Sequence, residues 1–268
     1  MKFGFILCTN YLSPDLSALY EASKTDPNIE IPLIITYAKE GEGVGSKSFF
    51  SRVLGTFRKL GFAKTISRIL LRLTYIYEAK YSKIEVSPQS RNYLNILNLG
   101  IPILRVTPLF SKSGVVVRLS DEDVDTIGSE GLDVLIRGSN HILRGPILDI
   151  CPYGVLGLHH GDDRKFRGSP SGFWEVYYKE TMTRFMFQRL RDTLDRGDIY
   201  FRGEFPTKTS AWENSYTQHK LARAKFLSLL KEFACSSALP DIKELSSEVF
   251  AVNKMPTWLQ VLKYIVRK

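Results

Sequence analysis

The chain has 268 residues, of which 44% are hydrophobic and 24% charged, a composition that excludes a mainly disordered, collagen-like or coiled-coil protein. Its net charge is +9, because 37 Lys and Arg outnumber 28 Asp and Glu, so it attracts anionic partners such as nucleic acid, anionic lipid or phosphorylated substrates. Three widely spaced cysteines, no signal-peptide pattern and no uncharged apolar run of about 18 residues predict a reducing, cytoplasmic setting.

The first 40 residues have the pattern of a strand, a helix and a second strand. Residues 3–8 and 29–37 are short apolar runs, which are typical of buried strands. Between them, Ser13 as the N-cap and Pro14 at the first helical position predict a helix over 14–23. Two continuous apolar strands joined by a helix predict a parallel sheet that is covered on both faces.

Residues 47–86 carry most of the positive charge, with nine Lys and Arg against two Glu. Apolar residues recur among them at helical spacing, which predicts a basic amphipathic helix broken at Gly61. The favoured interpretation is a surface helix that packs its apolar side on the sheet. The alternative is contact with an anionic membrane, or with a lipid-linked or phosphate-bearing substrate. Nucleic acid is not expected as a partner, since no recognised nucleic-acid-binding module accompanies the segment.

The next elements complete an α/β pattern. Apolar runs at 101–107, 132–136 and 154–159 predict three more strands, and helices are expected over 120–129 and 142–150. The fold class is therefore α/β, with an open, doubly wound and mostly parallel sheet.

Open sheets of this kind bind ligands at the carboxyl ends of their strands, so the loops after Cys8, Ile136 and His159 form the predicted functional region. The loop that follows the last of these strands is the most polar, because residues 159–167 contain two histidines, two aspartates and three cationic side chains. Histidine is well suited to proton transfer near neutral pH. Such a loop at the end of a strand therefore predicts a catalytic site.

Three motifs, in this order, resemble those of the formyltransferase catalytic domain, which glycinamide-ribonucleotide, methionyl-tRNA and sugar-nucleotide N-formyltransferases share. The family has a strand ending in Asn-x-His, then a loop with Arg-Gly-x-x-Pro, and further along an Asp-x-Gly turn. The corresponding residues here are His159, Arg167-Gly168-Ser169-Pro170, whose proline comes one residue early, and Asp195-Arg196-Gly197.

The resemblance covers residues 100–230 well and residues 1–40 in outline, and a helix expected over 213–233 resembles the closing helix of the family domain. It implies a sheet of the formyltransferase type over 1–233, with 47–86 as a basic helical insertion. Residues 234–268 are then a C-terminal extension. This extension is too short for the RNA-binding domain of methionyl-tRNA formyltransferases. Its basic, apolar end is expected to face a membrane or to dock on the domain as a helix.

One position departs from the family pattern, because the asparagine of the Asn-x-His strand falls on Gly157. In related enzymes that asparagine helps to hold the formyl oxygen, and removal of one such donor costs about 2.7–4 kcal/mol. His160, Asp162 and Asn140 are the residues expected to be able to compensate for the missing amide.

The resemblance implies transfer of a formyl group from N10-formyltetrahydrofolate to the amine of a phosphorylated amino sugar, either nucleotide- or lipid-linked. It implies that His159 stabilises the oxyanion or carries a proton, that Asp195 orients His159, and that His160 is a third catalytic candidate. The candidate folate-binding residues are Leu135, Arg137, Gly138 and Asn140, and the candidate substrate-binding residues are Asp162, Arg164 and Arg167. The His-His-Gly-Asp and Gly-Phe-Trp-Glu sequences are similar to a divergent branch tied to polysaccharide or glycolipid synthesis.

Two alternatives stay open at this point: an acyl or one-carbon transferase that works without folate, and an inactive module of the same fold that binds a membrane through the basic helix. No metal site is expected, because His159 and His160 are adjacent and leave a strand on opposite faces. The remaining histidines, His141 and His219, are interpreted as structural or surface residues. The oligomeric state is left open.

Overall fold

The computed structural model describes residues 1–38, 61–193, 197–245 and 251–267 of the chain. Its main element is a seven-stranded sheet. The strands are β1 (Lys2–Leu7), β2 (Glu30–Thr36), β3 (Ile103–Arg105), β4 (Val134–Gly138), β5 (Val155–His159), β6 (Met182–Arg189) and β7 (Asp198–Pro206). The α-helices of the described ranges are α1 (Pro14–Ser23), α2 (Phe62–Tyr81), α3 (Asp121–Ser129), α4 (Phe173–Tyr177), α5 (Ala211–Ser236) and α6 (Trp258–Val266).

The sheet has the strand order β7-β6-β5-β4-β1-β2-β3. Strands β1 to β5 run parallel to their neighbours, whereas β6 runs antiparallel to β5, and β7 antiparallel to β6. The predicted fold class, an α/β protein with a mostly parallel sheet, is confirmed. The antiparallel pair β6 and β7 was not predicted from the sequence.

Shorter elements surround the main sheet. They are the paired strands Tyr11–Leu12 and Leu94–Asn95, a small sheet of Leu109–Phe110, Val116–Arg118 and Ile142–Leu143, and 3-10 turns at Pro88–Arg91, Ile96–Asn98 and Pro146–Asp149. No helix of the described ranges is long and apolar enough to cross a membrane.

Local sequence accounts for where two of the helices begin. The hydroxyl of Ser13 accepts a hydrogen bond from the backbone N–H of Leu16, so α1 begins at Pro14 as predicted. Ser120 accepts from the N–H of Asp123 at 3.2 Å in the same way and begins α3. Each cap satisfies one of the backbone N–H groups that have no partner in the first turn of a helix.

Both faces of the sheet are covered, as the continuous apolar strands predict. On one face, Phe3 and Phe5 of β1 lie in a hydrophobic core with Leu16 of α1 and with Phe226 and Phe233 of α5. A second core on the other face joins residues of β1, β2 and β4 to α3 and to the turn at Pro146–Asp149. Helices and loops thus cover the faces and leave the carboxyl edge of the parallel strands open for a ligand.

The helix expected over 142–150 was wrong. Ile142–Leu143 forms a strand of the small sheet, and Pro146–Asp149 forms a single 3-10 turn. Between them Gly145 has a φ of 90°, a left-handed conformation that ends regular structure. The strand pairing of Ile142 and Leu143 with a distant segment decides their conformation, and the local apolar pattern does not reveal that partner.

The orientation of the basic helix differs from the favoured interpretation. Helix α2 begins directly after Gly61, as the predicted break requires, and it ends at Tyr81; residues 47–60 lie outside the described residues. Its large apolar side chains Leu73 and Ile76 are each 56% exposed, whereas Thr74 and Glu78 are buried. The prediction that the apolar side packs on the sheet was therefore wrong for α2, which instead contacts α5 and α6.

Candidate active site

A deep cleft opens at the carboxyl ends of β1, β4 and β5, where the sequence analysis expects ligands to bind. Its volume is about 1810 Å³, well above the roughly 300–1,000 Å³ of a site for one small molecule. The loops after the three strands line it, together with α2, α5 and residues 251–260. The cleft therefore has room for two small substrates at once.

His159 and His160 lie at the end of β5 and both line the cleft. Successive residues of a strand point to opposite faces of its sheet, so the two rings have different surroundings. His159 shares its face with Gly157, while His160 shares the other face with Leu158, on the side that α5 covers. The two histidines therefore lie among different sets of residues.

The ring of His160 stacks on the ring of His219 from α5, with 3.7 Å between their centroids. Nε2 of His219 lies 3.1 Å from Oγ of Ser171, and Nε2 of His160 has no hydrogen-bond partner among the described residues. One turn further along α5, Arg223 donates to Asp15 at 2.8 Å. A buried polar atom without a protein partner is a position where a bound ligand supplies the missing hydrogen bond.

Burial keeps both stacked histidines neutral. It lowers the pKa of His160 well below the usual 6.5, and the positive charges of Arg223 and Arg137 lower it further. Burial also lowers the pKa of His219, although Asp15 opposes this shift. At pH 7 each ring is therefore uncharged and offers one nitrogen as a donor and the other as an acceptor.

We expect these two histidines to make the free energy of unfolding fall as the pH drops below 6.5, because the unfolded chain binds protons there that folded His160 and His219 do not. Each histidine contributes at most about 1.4 kcal/mol per pH unit to this slope. Urea unfolding at successive pH values is expected to give a shallower slope for the His160→Gln/His219→Gln variant than for the unmodified chain.

The matched control is Ser171→Ala, which removes the hydroxyl beside His219 but no titrating group, so the slope stays as in the unmodified chain. The pKa of Glu175 is raised by burial to about 7, which gives the opposite dependence in all of these proteins and cancels in the difference. Equal slopes for the unmodified chain and the double variant would contradict the neutral histidine pair.

On the other sheet face, the side chain of Arg137 lies over Gly157. A Cβ atom built on Gly157 would lie 3.6 Å from Nε of Arg137 and 3.4 Å from Cδ2 of Leu190. The parallel pairing of β4 with β5 brings positions 137 and 157 side by side. Because Arg137 also lines the cleft, a guanidinium and the imidazole of His159 share one face of the sheet there.

Gly197, the last residue of the Asp-x-Gly motif, is attached to the same face of the sheet. The backbone N–H of Gly197 donates to Oε1 of Gln188 at 3.0 Å, and Gln188 pairs with Gly157 across β5 and β6. A Cβ atom on Gly197 would overlap the carbonyl oxygen of Arg189, so only glycine fits there. Asp195 itself lies outside the described residues, and its predicted role stays a prediction.

The loop after the histidines is held by its own aspartates. Oδ1 of Asp162 accepts the backbone N–H groups of Arg164 and Lys165, each at 2.7 Å, and Asp162 also pairs with Arg184. Asp163 is fully buried, and its two carboxylate oxygens accept hydrogen bonds from Nε and Nη2 of Arg202, each at 2.9 Å. These carboxylates fix the loop conformation.

Gly161 allows this loop to fold back over the strand end. A Cβ atom there would lie 2.7 Å from Nε2 of His159 and would overlap the carbonyl oxygen of Phe166. Further along, the backbone of Asn253 pairs with the loop, donating to the carbonyl of Arg167 and accepting from the N–H of Ser169. The C-terminal segment 251–260, which also lines the cleft, is thereby attached to the loop that follows His160.

Among the residues that the structure describes, no cluster of three or more His, Cys, Asp or Glu side chains is arranged to hold a metal ion. The positions suited to an organic ligand are the backbone and side chains after β4, where Gly138 and Asn140 line the cleft, and the nitrogen of His160 that lacks a partner. The site therefore has the polar groups for hydrogen-bonded recognition of a small molecule.

No protein-family model and no curated protein sequence matches the chain, whereas solved structures match it over most of its length. A phosphoribosylglycinamide formyltransferase from Anaplasma phagocytophilum is 14% identical, with a TM-score of 0.57 over 94% of this chain and 99% of that one. The corresponding protein from Bacillus halodurans is 13% identical, with a TM-score of 0.55 over 89% and 97%. A sugar N-formyltransferase from a Shewanella species is 11% identical, with a TM-score of 0.52 over 94% and 76%.

The chain has the formyltransferase fold. The resemblance inferred from three short motifs is thus confirmed at the level of the fold, although at these identities the likeness extends no further than architecture.

Within this formyltransferase fold, the structure brings together only some of the predicted site residues. The cleft is lined by Arg137, Gly138, Asn140, His159 and His160. In contrast, Leu135 is fully buried in the second core, and Asp162, Arg164 and Arg167 belong to the loop and are not among the residues that line the cleft. The contacts of Asp162 organise that loop. The folate-binding role of Leu135 and the substrate-binding roles of Asp162, Arg164 and Arg167 stay predictions.

Sequence reasoning missed the contribution of α5. His219 was interpreted as structural or surface, but it stacks on His160 inside the cleft, while His141 lies outside the cleft lining, 3.1 Å from the hydroxyl of Tyr37. The signal was present in the spacing, because the aromatic and basic residues of α5 that line the cleft recur at intervals of four and three on one helix face. They are Trp212, Tyr216, His219, Arg223 and Phe226.

Proposed function

We propose that the chain transfers a formyl group from N10-formyltetrahydrofolate to the amine of an amino sugar, nucleotide- or lipid-linked, in the cytoplasmic synthesis of a polysaccharide or glycolipid. The observation that carries this proposal is the sheet face that Arg137, Gly157 and His159 share, from which Arg137 and His159 line the cleft of a formyltransferase fold. A guanidinium and an imidazole at that place are the groups that acyl transfer needs, a donor for developing negative charge and a proton carrier.

The residues present fit the formyl donor. The volume of about 1810 Å³ accommodates a pteridine together with an acceptor. The strand end at Gly138 and Asn140 offers polar backbone groups for the edge of such a ring, and the unpartnered Nε2 of His160 offers one more hydrogen bond. When bound, N10-formyltetrahydrofolate supplies an electrophilic formyl carbon that an amine can attack.

In this proposal Arg137 replaces, as hydrogen-bond donor to the formyl oxygen, the asparagine that the family has at position 157. The side chain of Arg137 fills the space beside Gly157, and a guanidinium carries five N–H donors and a permanent positive charge. Those donors stabilise the negative charge that develops on the formyl oxygen as the amine adds. Neither His160, on the opposite sheet face, nor Asp162, which holds the loop, is required for this task.

His159 is proposed to move the proton. As the amine nitrogen forms its bond to the formyl carbon, it gives up a proton, which a ring nitrogen of His159 accepts. His159 then returns that proton to the folate nitrogen as the carbon–nitrogen bond of the donor breaks, so that no net proton is gained or lost. Asp195 remains the proposed partner that orients the ring.

The acceptor is proposed to be anionic as well as to carry an amine. Lys64 and Arg68 of α2 are exposed and line the cleft, where they attract a phosphate or diphosphate. A sugar N-formyltransferase and glycinamide-ribonucleotide formyltransferases are among the structures of the same fold. A phosphorylated amino sugar satisfies both requirements.

Calorimetric titration with N5-formyltetrahydrofolate, a stable analogue of the donor, tests the folate half of the proposal. We expect saturable binding, weakened in the Asp195→Ala variant and unchanged in a control such as Lys231→Gln, which lies outside the cleft lining. No heat of binding up to about 1 mM ligand, a concentration at which even a weak site of about −4 kcal/mol is half filled, would point to an acyl transferase that works without folate or to an inactive module.

Incubation with the true donor and a panel of acceptors tests the other half. Nucleoside-diphosphate amino sugars, polyprenyl-phosphate amino sugars and glycinamide ribonucleotide are compared by the mass of one added carbonyl group on the amine. Formylation of an amino sugar in preference to glycinamide ribonucleotide supports the proposal. Exclusive formylation of glycinamide ribonucleotide would contradict the proposal that the acceptor is an amino sugar.

A further inference from the structure

Helix α2 has the reverse of the polarity expected of a helix that covers a core. The residues of its inner face recur at spacings of four, three and four, and they are Ser67, Leu71, Thr74 and Glu78. The residues of its outer face include Leu73, Ile76 and Tyr77, of which Tyr77 is 63% exposed. A helix in a soluble protein ordinarily turns such a stripe inward, so the outward apolar stripe marks a contact surface.

Hydrogen bonds hold α2 in this orientation. The hydroxyls of Ser67 and Thr74 donate to the carbonyls four residues earlier, each at 2.9 Å. Glu78 accepts the backbone N–H of Trp212 at 2.8 Å and also accepts the hydroxyl of Tyr264 from α6. The bonds of Ser67 and Thr74 lie within the helix and satisfy its buried hydroxyls, whereas rotation of the helix to bury its apolar stripe would break the two bonds of Glu78 and expose apolar Leu71, which packs with α6. Contacts with neighbouring elements therefore fix the orientation of α2.

Helix α6 lies beside α2 and extends the same kind of surface. It buries Val261 and Tyr264 against α2 and α5, and the hydroxyl of Tyr264 also accepts the backbone N–H of Ala211 at 2.8 Å. Apart from Lys263, its exposed residues are apolar or aromatic, and Val266 reaches 85% exposure. The exposed large apolar residues of the two helices are Phe62, Leu73, Ile76, Tyr77, Tyr81, Trp258, Leu259, Leu262, Ile265 and Val266.

The exposed charges on this pair of helices are all positive. The basic residues of α2 and of α6 with its C-cap are all exposed, whereas the one acidic residue within these elements, Glu78, is buried. These basic residues are Lys64, Arg68, Arg72, Lys80, Lys263 and Arg267. A second copy of this chain would bring like charges together, and a neutral protein groove would leave them unpaired, so charge complementarity favours an anionic surface.

We infer that the outward face of α2 and α6 docks on an anionic lipid bilayer. Apolar side chains mixed with Tyr, Trp and basic residues are the composition of helices that lie in a membrane interface. The same two elements border the cleft, through Lys64 and Arg68 of α2 and Trp258 and Leu259 of α6. Docking brings the mouth of the cleft to the headgroup region, where a lipid-linked sugar is presented. This last consequence, the lipid-linked acceptor, rests on the proposed function, whereas the docking itself does not.

Co-sedimentation of the full chain with vesicles tests the docking. Phosphatidylcholine vesicles that contain phosphatidylglycerol are expected to bind the chain, pure phosphatidylcholine vesicles are expected to bind it far more weakly, and about 0.5 M salt is expected to release it. Neutralising Arg72→Gln/Lys80→Gln is expected to weaken binding about 30-fold, since each basic residue near such a surface contributes about 1 kcal/mol. Leu73→Ser/Ile76→Ser is expected to weaken it about tenfold or more.

Two matched controls carry the same chemical changes elsewhere on the surface. Lys112→Gln/Lys231→Gln removes two exposed charges, and Leu221→Ser/Ile242→Ser removes two exposed apolar side chains, all outside α2 and α6. Both controls are expected to bind vesicles like the unmodified chain. Binding that the control pairs reduce as much as the test pairs overturns the assignment of the surface.

Two further results would also overturn it. One is the absence of binding to the anionic vesicles, and the other is a dimer of the unmodified chain in sedimentation equilibrium that Leu73→Ser/Ile76→Ser dissociates. The His159→Ala variant separates this inference from the proposed function, because it is expected to lose formyl transfer and still bind vesicles. If the chain binds vesicles but formylates no amine, the docking stands and the proposed function fails.

Discussion

Replacement of His159 with alanine is expected to lower kcat for formyl transfer by about 10²–10⁴-fold, the contribution that a positioned proton carrier makes in such reactions. His159 lies at the end of β5 inside the cleft, on the sheet face of Gly157 and Arg137. An alanine there leaves no group to take the proton of the attacking amine. The measurement is single-turnover formylation of the acceptor, with donor and acceptor both saturating, so that binding does not enter the rate.

The matched control is His141→Ala. That ring contacts Tyr37 and Phe110 and lies outside the cleft lining, so its loss is expected to leave kcat within a few-fold of the unmodified value. The His160→Gln variant tests a different role, because the neutral ring of His160 faces α5 and not the sheet face of His159. We expect it to raise KM for the folate donor more than it lowers kcat. Full activity of His159→Ala, or equal losses in the His159 and His141 variants, would contradict the proposed proton carrier.

The second large effect is expected at Arg137. Arg137→Ala removes the donors that we place on the formyl oxygen, and loss of such a donor lowers kcat by about 10²–10³-fold, with little change in KM. The position of the guanidinium, 3.6 Å from a Cβ atom built on Gly157, makes a specific exchange possible. When Arg137 is replaced by alanine, an asparagine at position 157 has room to donate a hydrogen bond from its amide to the formyl oxygen.

We therefore expect the Arg137→Ala/Gly157→Asn variant to have a kcat about tenfold or more above that of Arg137→Ala alone. On the free-energy scale this is close to half of what one donor contributes. The same Gly157→Asn change alone is expected to lower activity, because its side chain competes with the guanidinium for one space. Gly157→Ala is the control, since its Cβ atom makes only ordinary contacts from 3.4 Å upward. Additive losses in the double variant, with no recovery, would contradict the exchange of donors.

Local sequence was sufficient to predict much of the sheet and the chain position of the site. The continuous apolar runs of β1, β2, β4 and β5 predict strands because burial on both faces requires apolar residues at every position. The first turns of α1 and α3 are predictable because their capping hydrogen bonds join residues three apart, at Ser13 and Ser120. The loop after His159 stands out because polar groups at that density are not needed for packing.

Elements whose conformation depends on distant partners could not be predicted in this way. Residues 142–150 have an apolar pattern compatible with a helix, yet Ile142–Leu143 pairs with Val116–Arg118, a segment well before it in the chain. The pair β6 and β7 completes the sheet by antiparallel pairing onto β5. In each case the hydrogen-bonding partner lies far away in sequence, and the local pattern carries no record of it.

The sequence by itself determined the fold class and the position of His159 and His160 at the end of a buried strand, because these follow from apolar burial and from residue chemistry. Only the tertiary structure decided which side chains lie next to each other and which helix face is buried. The register of β4 against β5 placed Arg137 over Gly157, and the packing of α5 stacked His219 on His160. Hydrogen bonds from Tyr264 and Trp212 to Glu78 turned the apolar stripe of α2 outward. An amphipathic pattern states that a helix has two faces, and the partners that bond to one face decide which of them is buried.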